Sequence, residues 1–207
     1  MNLQTQRLLV AGPVGDIECA IDAPVAGVPL RGVAVICHPN PVQGGTLDNK
    51  VVQTLARAFV QLGYRAVRFN FRGIGRSAGV WDEGHGEVDD ALAVMAGMRE
   101  AGLPLALAGF SFGGYVASQA ALRLPEGLGA ERLALIGPAT SRFDTATVPA
   151  DTIVIHGEVD DVVPLQAVFD WARPQSLPVT VVPGVGHFFH GQLPLLRNLL
   201  VRSWHAA

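Results

Sequence analysis

Lysine is nearly missing from this chain. Lys50 is the single lysine among 15 basic residues, and the arginines are scattered. No run is basic enough to track a phosphate backbone, and a net charge of -3 gives no reason to expect nucleic acid as a partner. Cysteine is scarce too. Cys19 and Cys37 are the only two, which excludes a disulfide framework and points to a reducing, cytoplasmic setting. No apolar run reaches the roughly 18 residues of a membrane span, so no membrane partner is expected. The N-terminus has no basic region followed by a long apolar core, so no signal peptide is expected either. There is no internal repeat and no low-complexity segment. No cluster of Cys and His has metal-ligand spacing, so neither metal nor organic cofactor is expected.

What is present reads as a packed core. Apolar residues make up 49% of the 207 residues and charged ones 16%, enough for one domain, 1–207, and too short for two comfortable ones. Gln6 to Ala11 and Ile17 to Ile21, split by Gly12-Pro13-Val14-Gly15, predict an antiparallel hairpin at a sheet edge. Gly32 to Cys37 is apolar on both faces, as a central parallel strand should be. Asp48 to Leu62 has helical spacing and is closed by Gly63. Arg65 to Phe71 predicts a strand, and Glu87 to Ala101 a helix. Pro104 to Phe110 is a strand that leads into a helix beginning near Tyr115. Arg132 to Ile136, Thr152 to His156 and Val179 to Val182 predict further strands. Pro164 to Trp171 is a short helix with proline at its start, and about His190 to Trp204 a last one. Alternating strands and helices imply an α/β fold with a mostly parallel sheet covered on both faces. Ligands of such sheets bind at the C-terminal ends of strands.

The stretch Gly109-Phe110-Ser111-Phe112-Gly113 stands at one of those ends. Strand, G-x-S-x-G, helix is the pattern of a nucleophile elbow. It leaves Ser111 at the tip of a sharp turn, at a helix N-terminus where developing negative charge is stabilised. A serine needs a base to take its proton and an acid to orient the base. Asp160 is the acid candidate, in His156-Gly157-Glu158-Val159-Asp160-Asp161 after the predicted Thr152–His156 strand. Acidic pairs in that position also serve as plain turn or cap residues. His187 is the base candidate, in Gly186-His187-Phe188 after the last strand, with His190 as its near rival and His38, His85, His156 and His205 as further ones. Serine, acid and histidine follow in that order at strand ends, which is the order found in α/β hydrolases.

An oxyanion hole requires two backbone N–H groups. Phe112 supplies one. The other is expected from the loop after the Gly32–Cys37 strand, where Pro39 and Pro41 cannot donate and Asn40 can. His38-Pro39-Asn40-Pro41 can equally be read as a rigid turn. Arg72-Gly73-Ile74-Gly75 lacks the third glycine of a dinucleotide loop and reads as a turn, with Arg72 pairing to Asp82 or Glu83. Cys37 ends a buried strand with no base in view and is not taken as a nucleophile.

These motifs resemble the α/β-hydrolase superfamily. His38-Pro39-Asn40-Pro41-Val42-Gln43-Gly44-Gly45 and the following Thr46-Leu47-Asp48-Asn49-Lys50, together with Phe69-Asn70-Phe71-Arg72-Gly73, are similar to a small bacterial group of dienelactone-hydrolase-like proteins. The resemblance spans nearly the whole chain. It implies a twisted sheet of about eight strands with the second antiparallel, and Ser111 as nucleophile where dienelactone hydrolases proper use cysteine. Only Gly137 to Asp151, roughly 15 residues, separates two predicted strands where many α/β hydrolases insert a lid, so no lid or cap is expected. The site should be an open cleft lined by Phe112, Phe188 and Trp81. Such a cleft favours small or short-chain ester substrates, since deep burial supplies the affinity for long acyl chains. The expected activity is a carboxylesterase-like serine hydrolase on a small-molecule substrate. A thioesterase, lactonase, peptidase or acyltransferase on the same residues stays open, as does a non-catalytic binding protein. The chain is expected to be a monomer or homodimer.

Overall fold

A computed structural model of the chain describes residues 5–205. Its strands join in one eight-stranded sheet. The chain runs β1 Gln6–Gly12, β2 Gly15–Asp22, β3 Gly32–Cys37, α1 Lys50–Gln61, β4 Tyr64–Phe69, α2 His85–Met98 and β5 Leu105–Phe110. It continues with α3 Phe112–Leu122, β6 Arg132–Ile136, β7 Ile153–Gly157, α4 Leu165–Ala172, β8 Thr180–Val182 and α5 Leu193–His205. The spatial order is β1-β2-β4-β3-β5-β6-β7-β8. β2 is antiparallel to both neighbours, β1 and β4, and the other pairs are parallel. This is the α/β-hydrolase fold that the resemblance implies.

Every residue of β3 and β5 is buried, because helices cover both faces. Side chains alternate across a strand, so Val33, Val35 and Cys37 pack with α2, α3 and α4 while Ala34 and Ile36 pack with α1 and α5. The second face is built largely from alanines, Ala34, Ala66, Ala106, Ala108 and Ala134. Small residues there let the helices settle close to the sheet, and Phe59, Tyr64 and Trp204 fill the far end in edge-to-face contacts.

Several boundaries differ from the predicted ones for local reasons. α1 begins at Lys50 because Asn49 accepts the N–H groups of Val51 and Val52 and so acts as the N-cap. β4 ends at Phe69 because the Phe71 N–H turns away to His38 Nε2, 3.1 Å distant. α2 starts at His85, two residues early, because the Glu87 carboxylate reaches back to the Gly84 N–H at 2.8 Å. Arg72 forms the expected ion pair with Asp82 and also finds a closer partner. Its guanidinium grips buried Asp90 with two bonds of 2.8 and 3.0 Å, while Asp82 stays at 3.7 Å and Glu83 takes no part. The connection from β6 to β7, residues 137–152, contains turns and no helix, so nothing in it forms a lid. No helix among the described residues is long and apolar enough to cross a membrane.

Candidate active site

Ser111 lies between β5 and α3 with φ 56 and ψ -119. That positive φ is a strained backbone for a serine, and it persists only because the surroundings over-determine it. The Ser111 N–H donates to Ile136 O at 2.9 Å, and its carbonyl accepts the N–H groups of Gly114 and Ala139. Two glycines make the close turn possible. A Cβ on Gly109 would lie 2.0 Å from Gly113 O, and one on Gly113 would lie 2.2 Å from Cys37 O. No other residue fits at either position without pushing helix and strand apart.

Asp160 follows β7 and His187 follows β8. They meet with Asp160 Oδ2 at 2.7 Å from His187 Nδ1, both buried. The other carboxylate oxygen accepts the N–H groups of Val162 at 2.9 Å and Val163 at 2.7 Å. So one oxygen of Asp160 makes the turn and the other holds the histidine. Burial by itself would raise the Asp160 pKa. The bond from His187 and the N–H groups of Val163 and Val162 outweigh it and hold the carboxyl below its usual value. An ionised Asp160 accepts at Oδ2, so Nδ1 of a neutral His187 carries the proton and Nε2 carries the lone pair. The His187 ring rests on Phe110, with centroids 4.8 Å apart, and edge-on against Phe188.

Ser111 and His187 line the same cavity of about 190 Å³, whose walls include Asn40, Asn49, Val162 and Phe188. No hydrogen bond joins the Ser111 hydroxyl to His187 here. Such bonds commonly tighten only when substrate is bound. The backbone N–H groups of Phe112 and Asn40 donate to no protein acceptor among the described residues. Asn40 lines the cavity itself, and its side chain accepts the Val42 N–H at 2.9 Å, which fixes the loop.

The other histidines stand elsewhere. His38 is fully buried, with Nδ1 2.6 Å from Pro39 O and Nε2 accepting from Phe71. His156 is also buried. Its Nε2 lies 2.9 Å from Val163 O and 3.5 Å from Asp160 Oδ2, while burial lowers its pKa and keeps it neutral. His85 lines a separate cavity with Tyr115, and His190 is exposed beside Lys50. The side chain of His205 lies outside the described residues. Of the expected apolar lining, only Phe188 faces the cavity. The Phe112 side chain is buried in the core against Phe71, Tyr115 and Phe143. Trp81 does not line the cavity; its ring packs on Phe112, 5.2 Å between centroids. Gln43, Gly44, Gly45 and Asn49 form a further wall, with no site role expected from the sequence. Their sequence signals are their place in the loop after β3, which is expected to hold the oxyanion, and their membership of the His38–Lys50 stretch that carries the resemblance.

Comparison with known proteins agrees with this architecture. A family model described as serine aminopeptidase, S33 matches residues 30–142. The chain is 41% identical to an α/β serine hydrolase without lid from Xanthomonas campestris, with a TM-score of 0.87 over 100% of this chain and 98% of that one. An α-β serine hydrolase homologue from Coxiella burnetii is 38% identical, with a TM-score of 0.81 over 95% and 96%. An uncharacterized protein of Rickettsia prowazekii is 32% identical, covering 86% of this chain and 79% of that protein.

Proposed function

The chain belongs to the α/β serine hydrolases, in the family described as serine aminopeptidase, S33, and on that footing we propose that it is a carboxylesterase-like enzyme cleaving small or short-chain esters. Ser111 is the nucleophile, His187 the general base and Asp160 its orienting acid. The observation that carries this reading is the 2.7 Å Asp160–His187 contact beside a strained Ser111 in one cavity.

In the proposed reaction Ser111 Oγ attacks the ester carbonyl while His187 Nε2 takes the hydroxyl proton. The carbonyl π electrons move onto oxygen, and the Phe112 and Asn40 N–H groups bind that oxyanion, each worth about 100- to 1000-fold in rate. Asp160 stabilises the imidazolium. The tetrahedral species collapses, the C–O bond breaks, and His187 returns the proton to the leaving alcohol. Water repeats the sequence on the acyl-enzyme and releases the acid.

The family description raises a peptidase reading. An aminopeptidase must hold a free ammonium next to the scissile bond, which calls for a carboxylate in the cleft. The residues lining this cavity include no acidic side chain, which favours the ester. Short chains are favoured because only Phe188 and Val162 offer sizeable apolar lining and no lid covers an acyl tail. Steady-state hydrolysis of nitrophenyl esters from acetate to laurate tests this. Activity is expected to be highest at four carbons or fewer and absent from Ser111→Ala. A preference for laurate, or faster cleavage of aminoacyl anilides, would overturn it.

A further inference from the structure

The chain's one lysine stands at the edge of this cavity. Lys50 is the first residue of α1, next to Asn49, which lines the cavity. Its Nζ lies 2.6 Å from His190 Nδ1 and 5.9 Å above the ring of Phe188, which also lines the cavity. Lys50 makes no ion pair among the described residues. Asp48, the carboxylate nearest to it in sequence, is already held by Arg7 at 2.6 Å and Arg68 at 3.3 Å. A basic side chain, fixed by an imidazole and an aromatic face and left without a counter-charge, thus sits beside a cleft that no carboxylate lines.

A lone cation at the lip of a hydrolase cleft raises the local concentration of anions and lengthens their stay. We propose that Lys50 makes this site selective for esters whose acyl chain carries a free carboxylate, that is, half-esters of short dicarboxylic acids. The inference rests on the hydrolase reading above and names its substrate class. The short lysine–imidazole contact restrains Nζ, so less side-chain freedom is lost when the carboxylate arrives. The ring of Phe188 contacts both this charge and His187, 5.9 Å from Nζ and 5.0 Å from the His187 ring, so an acyl chain running along it would join carboxylate to scissile carbonyl.

The test compares mono-(4-nitrophenyl) glutarate with 4-nitrophenyl valerate, which has the same acyl carbon count and no charge. The wild-type kcat/KM ratio, anionic over neutral, is expected to be about 10 at low ionic strength. It should fall toward 1 in Lys50→Met and at 0.5 M salt, because screening acts on an exposed pair. Lys50→Arg should retain most of the preference, as a merely structural role for the helix's first residue would not require. A wild-type ratio at or below 1, or one that neither salt nor Lys50→Met changes, would overturn the inference while leaving the hydrolase intact. Failure of wild type to cleave either ester would remove the hydrolase reading and this inference with it.

Discussion

His38 and His187 invite comparison. Both are buried, and both follow strands of the same sheet, His38 directly after β3 and His187 beyond β8. They differ in how many ring nitrogens are committed. His38 spends both, one on Pro39 O and one on the Phe71 N–H. Its neutral form satisfies both contacts, while a proton on Nε2 would face the Phe71 N–H. Burial accordingly pushes its pKa down from 6.5 to about 4. His187 spends Nδ1 on Asp160 and leaves Nε2 to the cavity that it shares with Ser111. The lesson is that burial does not distinguish a structural histidine from a reactive one. A free nitrogen that opens on the cavity beside Ser111 does, since the partnerless Nδ1 of His156 is buried away from it.

Substitutions should separate the two roles. The largest effect is expected at Ser111→Ala and His187→Ala, each lowering kcat for a short-chain ester by about a millionfold. Asp160→Asn follows, lowering kcat by about 10,000-fold through the wrong His187 tautomer, as steady-state kinetics at pH 7 would read. His38→Leu belongs to the other class. It strands the Phe71 N–H and Pro39 O and should cost about 2 kcal/mol in urea unfolding, with kcat/KM changed less than about tenfold.

The pH dependence of stability sharpens the contrast. The folded-state pKa of His38 lies below its unfolded value, so the unfolded chain binds more protons between those two values. The His38 contribution is therefore complete above pH 6.5 and is lost as pH falls toward 4. The depression is worth about 3 kcal/mol. His38→Leu should lose stability less steeply over that window in urea titrations at stepped pH. Phe188→Ala is the mildest, expected to raise KM for short-chain esters several-fold and leave kcat nearly unchanged.

Much of this was legible in the chain. Apolar runs such as Gly32–Cys37 read correctly as central strands because both of their faces are buried. The elbow was legible because Gly109 and Gly113 are demanded by backbone contacts that admit no Cβ. Partners set by three-dimensional packing were not. Sequence proximity points Arg72 to Asp82, which it meets at 3.7 Å, yet its closer partner Asp90 lies eight residues beyond Asp82, inside α2. Trp81, expected as apolar lining of the cleft, instead packs its ring on Phe112. Two helix starts moved because one side chain captured a backbone group, as Asn49 and Glu87 do. The residues from Gln43 to Asn49 belong to the stretch that carries the family resemblance, yet their place as a cavity wall beside Ser111 comes only from the fold.

The most direct measurement is reaction of the folded protein with a fluorophosphonate, followed by mass spectrometry of the adduct. Such a reagent phosphonylates a serine whose base and oxyanion donors are assembled. The expected result is one adduct on Ser111, formed at near wild-type rate in His38→Leu, slowed by orders of magnitude in His187→Ala, and missing in Ser111→Ala. No adduct on folded wild-type protein, or labelling that persists at full rate without His187, would contradict the assignment of His187 as the base.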